Sequence, residues 1–171
     1  MIDLPVDSKY PIMPNDDLPN RQRLHHDVPH WVEGGSFFFV TVNCAERGRE
    51  QLTQPTVSSA LLESARFYDD QHKWHITLLL LMPDHLHVIL SFPRGAVMAD
   101  LFRSWKRYTA RQLGVVWQDG FFDHRLRNDQ EEKAKHHYIR NNPVRQQLCA
   151  NPEDWPHQMH WTSQGLVIGP W

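Results

Sequence analysis

Residues 76–93 read ITLLLLMPDHLHVILSFP, and no other stretch of the chain restricts its fold so tightly. Two apolar runs flank Pro83-Asp84, a pair with turn chemistry. WHITLLLLM (74–82) has the continuous apolarity of a central strand, and HLHVILSF (85–92) reads as its hairpin partner. Within that hairpin stand His85 and His87. Strand side chains alternate between faces, so both imidazoles point one way and Leu86 the other. A buried imidazole without a partner costs free energy. For a lone histidine, a hydrogen bond at the sheet rim is the ordinary explanation. An i, i+2 pair directly after a tight turn points instead to a metal or phosphate site.

The flanking sequence supplies the rest of a split α+β pattern. SFFFVTVNC (36–44) is rich in β-branched and aromatic residues and reads as a first strand. In TVSSALLESARFYDDQHK, Val57, Ala60, Leu61, Ala65 and Tyr68 recur at helical spacing. VMADLFRSWKRYTARQL (97–113) forms a second helix, with Met98, Leu101, Phe102 and Trp105 on one side and Arg103, Lys106, Arg107 and Arg111 on the other. WQDGFFDHRLR (117–127) reads as a fourth strand with its entry loop. A helix starting at Asn128 or Asp129 then runs toward Pro143, with acids in its first turn. The order β-α-β-β-α-β plus a helix predicts a ferredoxin-like α+β fold: an antiparallel sheet, helices on one face, and a C-terminal helix carrying Tyr138. Residues 1–30, with five prolines, read as an extended N-terminal arm, 31–150 as the catalytic domain and 151–171 as an irregular tail.

Charge narrows the partners. The net charge is −2, yet residues 94–145 carry +5 against −5 before them and −2 after. One basic third in a near-neutral chain suits a local phosphate-binding surface, although a solvated helix face gives the same pattern. Nothing approaches the ~20 apolar residues of a membrane helix. The first twenty residues lack a signal-peptide pattern, and the two cysteines, Cys44 and Cys149, lack metal-ligand spacing. A cytoplasmic, reduced setting is expected.

Two imidazoles leave most of a divalent ion's coordination open, which suits catalysis better than a closed structural site. Tyr138 and Asn142 lie four apart, one helical turn, and share a face if the helix persists that far. A packed tyrosine is the default for any Tyr, and a phenol with a pKa near ~10 needs assistance to act as a nucleophile. A Lewis acid on the target phosphate gives that assistance. Asn142 offers an oxygen as a third ligand.

HLH at 85–87, its lead-in MPDHLH, SWKRYTARQLG (104–114), WQDGFFDHRLR (117–127), YIRNNPVRQQL (138–148) and PEDWP (152–156) together resemble the REP-associated tyrosine transposases. These are a branch of the single-tyrosine transposases that carry a His-hydrophobe-His motif. The similarity spans about Phe37 to Trp155. It implies a ferredoxin-like enzyme that cuts and rejoins single-stranded DNA at hairpins made by imperfect palindromes. Tyr138 matches the nucleophile that forms a 5′-phosphotyrosine link. His85, His87 and Asn142 match the ligands of Mg²⁺ or Mn²⁺. Relatives differ on whether the tyrosine acts in its own subunit, so a monomer and a homodimer both stay open.

For the DNA surface, Arg103, Lys106, Arg107 and Arg111 form a stripe with Arg94 at its entry, and Arg125, Arg127, Arg140 and Arg145 extend it around Tyr138. Such contacts give affinity and salt sensitivity rather than sequence reading. Trp117, Phe121 and Phe122 are available to stack on unpaired bases, with core packing the commoner use. His136 and His137 adjoin the tyrosine, as helix-surface residues or as phosphate contacts. A non-cleaving hairpin-DNA-binding protein is the alternative reading. A two-histidine RNA phosphoesterase shares the split fold but needs two facing His-x-Thr units. His75-Ile76-Thr77 is read as the one such unit, with no second expected, and the transposase reading is preferred.

Overall fold

The computed structural model describes residues 35–170. In chain order its elements are β1 (Phe37–Asn43), α1 (Pro55–Asp70), β2 (His75–Met82), β3 (His85–Ser91), α2 (Met98–Leu113), β4 (Phe122–Arg125), α3 (Asp129–Arg140), α4 (Asn142–Arg145), β5 (Gln158–Thr162) and β6 (Gly165–Ile168). A 3-10 turn occupies Pro152–Asp154. The expected arm at 1–30 lies outside the described residues. Among the described residues, no helix is long and apolar enough to cross a membrane.

The apolar hairpin is the spine of the molecule. β2 and β3 pair antiparallel around Pro83-Asp84, and β1 pairs with the other edge of β3. All six strands are antiparallel neighbours in the order β4-β1-β3-β2-β5-β6. Alternation sorts the side chains into two cores. Val40, Val42, Leu86, Val88 and Leu90 pack with Leu61, Ala65, Phe102 and Trp105 beneath α1 and α2. Phe39, Leu78, Leu80, Met82 and Ile89 face the opposite way and meet Ile139 of α3, Leu126 and Trp155. The two long helices thus share one face, as the amphipathic patterns predict. α3 covers the other face, the one to which His85 and His87 point.

Local signals explain where the helices stop. Gly114 takes a left-handed φ of 70° and closes α2, its N–H bonding to the Ala110 carbonyl. The Asn128 side chain caps α3 by accepting from the Glu131 N–H at 2.9 Å. At the other end α3 does not reach Asn142. Pro143 has no N–H to continue the ladder, so the helix closes at Arg140 and Asn142 opens α4.

The tail departs from the irregular segment expected at 151–171. The Trp155 indole N–H donates to the Leu81 carbonyl at 2.9 Å, and the Leu81 N–H donates to His157 O at 2.8 Å. These bonds seat β5 on the free edge of β2, and β6 extends the sheet. Gln158 and His160 are buried on either side of Met159 in the sequence, so the buried part of the strand does not read as an apolar run.

Candidate active site

The β1–β3 register sets Thr41 opposite His87 and Asn43 opposite His85. Both imidazoles are nearly fully buried and lie edge to face, with centroids 4.9 Å apart. Each is held through its Nδ1. His85 Nδ1 donates to Asp84 Oδ1 at 2.7 Å, and His87 Nδ1 pairs with the Thr41 hydroxyl at 2.9 Å. Phe39 stacks on His87 at 5.4 Å. His87 Nε2 is buried with no hydrogen-bond partner among the described residues. An orphaned nitrogen of this kind costs about 1–3 kcal/mol, and neutral imidazoles held through Nδ1 have the chemistry of metal ligands.

The electrostatics keep both rings neutral. Burial is the main cause holding His87 down to about 3, with His85, Lys135 and Arg47 pushing the same way. Burial also lowers His85, outweighing the hydrogen bond it donates to Asp84, which raises it. Asp84 feels burial as an upward push. The Gly48 N–H, His85 and Arg47 overcome it and keep the carboxylate below its ordinary range. Neutral imidazole is the form that binds metal. Among the described residues no group of three His, Cys, Asp or Glu side chains gathers.

A stability prediction follows from these shifts. The unfolded chain takes up protons on these histidines near pH 6.5, whereas folded His87 resists until about 3. Stability is therefore complete above about pH 6.5 and is lost as pH falls, by up to ~1.4 kcal/mol per pH unit for each such histidine. Thermal melts of the metal-free chain between about pH 7 and pH 5 check the sign. A melting temperature that holds steady or rises on acidification contradicts it.

Tyr138, on the sheet-facing side of α3, is 39% exposed. Its ring stands 5.8 Å from His87 and 6.2 Å from Phe39, edge-on to both. Lys135 Nζ lies 5.5 Å from the phenol ring, and the Arg145 guanidinium also lies 5.5 Å away. Two cations thus flank an accessible phenol beside the histidine pair. Asn142 is buried at the start of α4, immediately after the α3 break.

The basic residues named from sequence do not form one patch. α2 lies under the face opposite the histidines, so Arg103, Arg107 and Arg111 are exposed away from them, with Arg94. Arg103 pairs with Asp100 at 2.6 Å. Lys106 leaves the stripe: its Nζ donates to the Gln118 and Gly120 carbonyls at 2.5 and 2.8 Å, pinning the loop before β4. Arg125 sits opposite Phe38 and so points to the α2 side, while Phe122, opposite Thr41, points to the site side. Arg127 is exposed, and Arg140 pairs with Glu153 at 3.0 Å. Of this group, Arg145 lies over the Tyr138 ring.

Among the aromatics, Phe121 packs on Phe102 and Trp117 on Trp105. Phe122 is 49% exposed beside Phe39. His136 is drawn to Thr77 at 3.3 Å and His137 is exposed. Both line a cleft of about 680 Å³ along α3 that includes neither Tyr138 nor the histidine pair. Contrary to the expectation of a single His-x-Thr unit, the sequence holds a second, His160-Trp161-Thr162, but it does not face the first across a cleft. The two lie on adjacent strands, His160 is buried, and the Thr162 hydroxyl bonds to Gly165 O at 3.0 Å. Sequence reasoning missed Asp84, Thr41, Arg47 and Lys135. Asp84 was legible as the neighbour of His85 but was absorbed into the turn.

Comparison with known proteins points the same way. The family model described as "Transposase IS200 like" matches residues 39–142. A REP-associated tyrosine transposase of Escherichia coli (strain K12) is 27% identical over 132 residues, spanning 74% of this chain and 77% of its own. A Haemophilus influenzae relative is 24% identical over 146 residues, spanning 74% of this chain and 80% of its own. The solved structure of a REP-associated tyrosine transposase bound to a REP hairpin superposes with a TM-score of 0.67 at 24% identity, over 82% of each chain. At that identity the match speaks for the fold.

Proposed function

The chain belongs to the IS200-like transposase family, and on that premise we propose that it cleaves and rejoins single-stranded DNA at hairpins through a 5′-phosphotyrosine intermediate on Tyr138. The observation that carries the reading is an exposed phenol set against His87, which in turn lies against His85, with the Nδ1 atoms of both imidazoles occupied. Mg²⁺ or Mn²⁺, held by His85, His87 and Asn142, supplies Lewis-acid polarisation of the scissile phosphate when bound. The protein's own groups do the rest. Lys135 and Arg145 attract the phosphodiester and offset the charge that builds on its oxygens. The Tyr138 oxygen attacks phosphorus, the P–O bond to the 3′ oxygen breaks, and a free 3′-OH leaves. Attack by a 3′-OH on the phosphotyrosine reverses the step and joins strands.

Phe122 offers an aromatic face for an unpaired base beside the scissile phosphate. Arg127 and Arg140 add positive charge near α3, whereas Arg94, Arg103, Arg107, Arg111 and Arg125 serve a part of the hairpin remote from the reaction. Replacing both Arg107 and Arg111 by Ala should weaken hairpin affinity and flatten its salt dependence by about two charges. It should leave the cleavage rate of bound DNA unchanged. Lys106→Met should instead cost about 1 kcal/mol of stability through the freed loop. Equal affinity for wild type and the double variant across a salt series removes α2 from the interface.

A labelled single-stranded hairpin incubated with Mn²⁺ tests the function itself. A protein–DNA adduct that survives denaturant is expected. Tight hairpin binding with no adduct on any palindrome-derived substrate supports the non-cleaving hairpin binder instead.

A further inference from the structure

The acidic residue in the β2–β3 turn has a task that turn chemistry does not explain. Asp84 is buried, and its two carboxylate oxygens face different donors. Oδ2 accepts the Gly48 N–H at 2.6 Å and lies 3.2 Å from Arg47 Nε. Oδ1 lies 2.7 Å from His85 Nδ1. Arg47 is itself fixed, its guanidinium donating to Asn43 Oδ1 at 2.6 Å, and the Asp84 carbonyl accepts the Cys44 N–H at 2.8 Å. The carboxylate is therefore gripped from the β1 side and cannot turn.

We propose that Asp84 is the positioning residue that fixes the tautomer of His85, an inference that rests on the metal-site reading above. An ionised carboxylate only accepts hydrogen bonds. It therefore requires the proton on His85 Nδ1 and leaves the lone pair on Nε2, where a ligand is needed. Thr41 imposes no such choice on His87, because a hydroxyl both donates and accepts. Asp84 is thus the group that decides the proton's place on His85.

The geometry makes an unusual ranking of variants. Asparagine has one oxygen, and two fixed donors, Gly48 N–H and Arg47 Nε, claim it at the Oδ2 position. Its amide NH₂ then faces His85 Nδ1, which must accept, so the ring proton moves to Nε2 and blocks the ligand position. Alanine merely removes the partner and returns the ring to its ordinary tautomer mixture. A purely structural Asp84 gives the reverse order, since asparagine fills the space and alanine does not.

The test uses the full chain with ¹⁵N-labelled histidine. The His85 tautomer is read by NMR without metal, and Mn²⁺ affinity by electron paramagnetic resonance. In wild type the His85 proton should sit on Nδ1. In Asp84→Asn it should move to Nε2, with Mn²⁺ affinity falling by about 10- to 100-fold and further than in Asp84→Ala. An asparagine variant that keeps the proton on Nδ1, or binds Mn²⁺ better than the alanine variant, overturns the proposal. Where Asp84→Asn does not fold, Asp84→Ala carries the test: loss of the Nδ1 preference supports it and retention overturns it. Wild type with the proton on Nδ1 but no Mn²⁺ uptake overturns the metal-site reading, and with it any role for Asp84 in binding metal.

Discussion

Tyr138→Phe is expected to bind a hairpin within about twofold of wild type while losing the covalent adduct and strand cleavage by at least ~10³-fold. The substitution removes one oxygen and nothing else. The ring that meets His87 and Phe39 edge-on is retained, as are the flanking Lys135 and Arg145 cations. Folding and DNA affinity therefore have no reason to change. Binding and adduct formation are read in one experiment with a labelled hairpin, first on a native gel and then after denaturation. Adduct persisting in the phenylalanine variant assigns the nucleophile elsewhere.

The second large effect falls on the histidine pair. His87→Ala should abolish cleavage to a comparable degree and reduce Mn²⁺ uptake, with hairpin binding largely kept. The ring is buried between Phe39 and His85 and is separated by the sheet from the α2 basic surface. On the proposed mechanism its loss removes a ligand nitrogen without removing a phosphate contact. The alanine also opens a small cavity against Phe39, costing about 1–3 kcal/mol of packing set against relief of the orphaned Nε2. Stability is therefore measured alongside by thermal melting, so that lost cleavage in a folded protein is distinguished from unfolding. A folded His87→Ala that cleaves at the wild-type rate removes the pair from the reaction.

Much of this architecture was legible because its signals are local. The hairpin 74–92 announces itself by apolarity and a Pro-Asp turn. The shared face of His85 and His87 follows from the two-residue strand period alone. The helices α1 and α2 showed their buried sides as helical spacing, and Asn128 its cap. What stayed hidden depends on pairing across the chain. Strand β5 carries buried Gln158 and His160, polar residues that no alternation rule would place in a core; the Gln158 amide donates to the Trp155 carbonyl at 2.7 Å. The basic stripe of α2 was legible as a stripe. Which face of the sheet it would occupy relative to Tyr138 depends on the packing of the layers, and the two ended on opposite sides. Lys106 looked like its neighbours until the loop at 118–120 closed on its ammonium. At the site, Pro143 signalled the end of α3 correctly: the helix closes at Arg140, and Asn142 opens α4 after one intervening residue.

The most direct measurement is the identity of the linked residue. The chain is reacted with a single-stranded hairpin and Mn²⁺, digested, and the DNA-bearing peptide is sequenced by mass spectrometry. A nucleotide joined through its 5′ phosphate to the Tyr138 oxygen is the predicted result. Linkage to any other side chain, or hairpin cut with no protein attached, contradicts a phenol working beside two imidazoles.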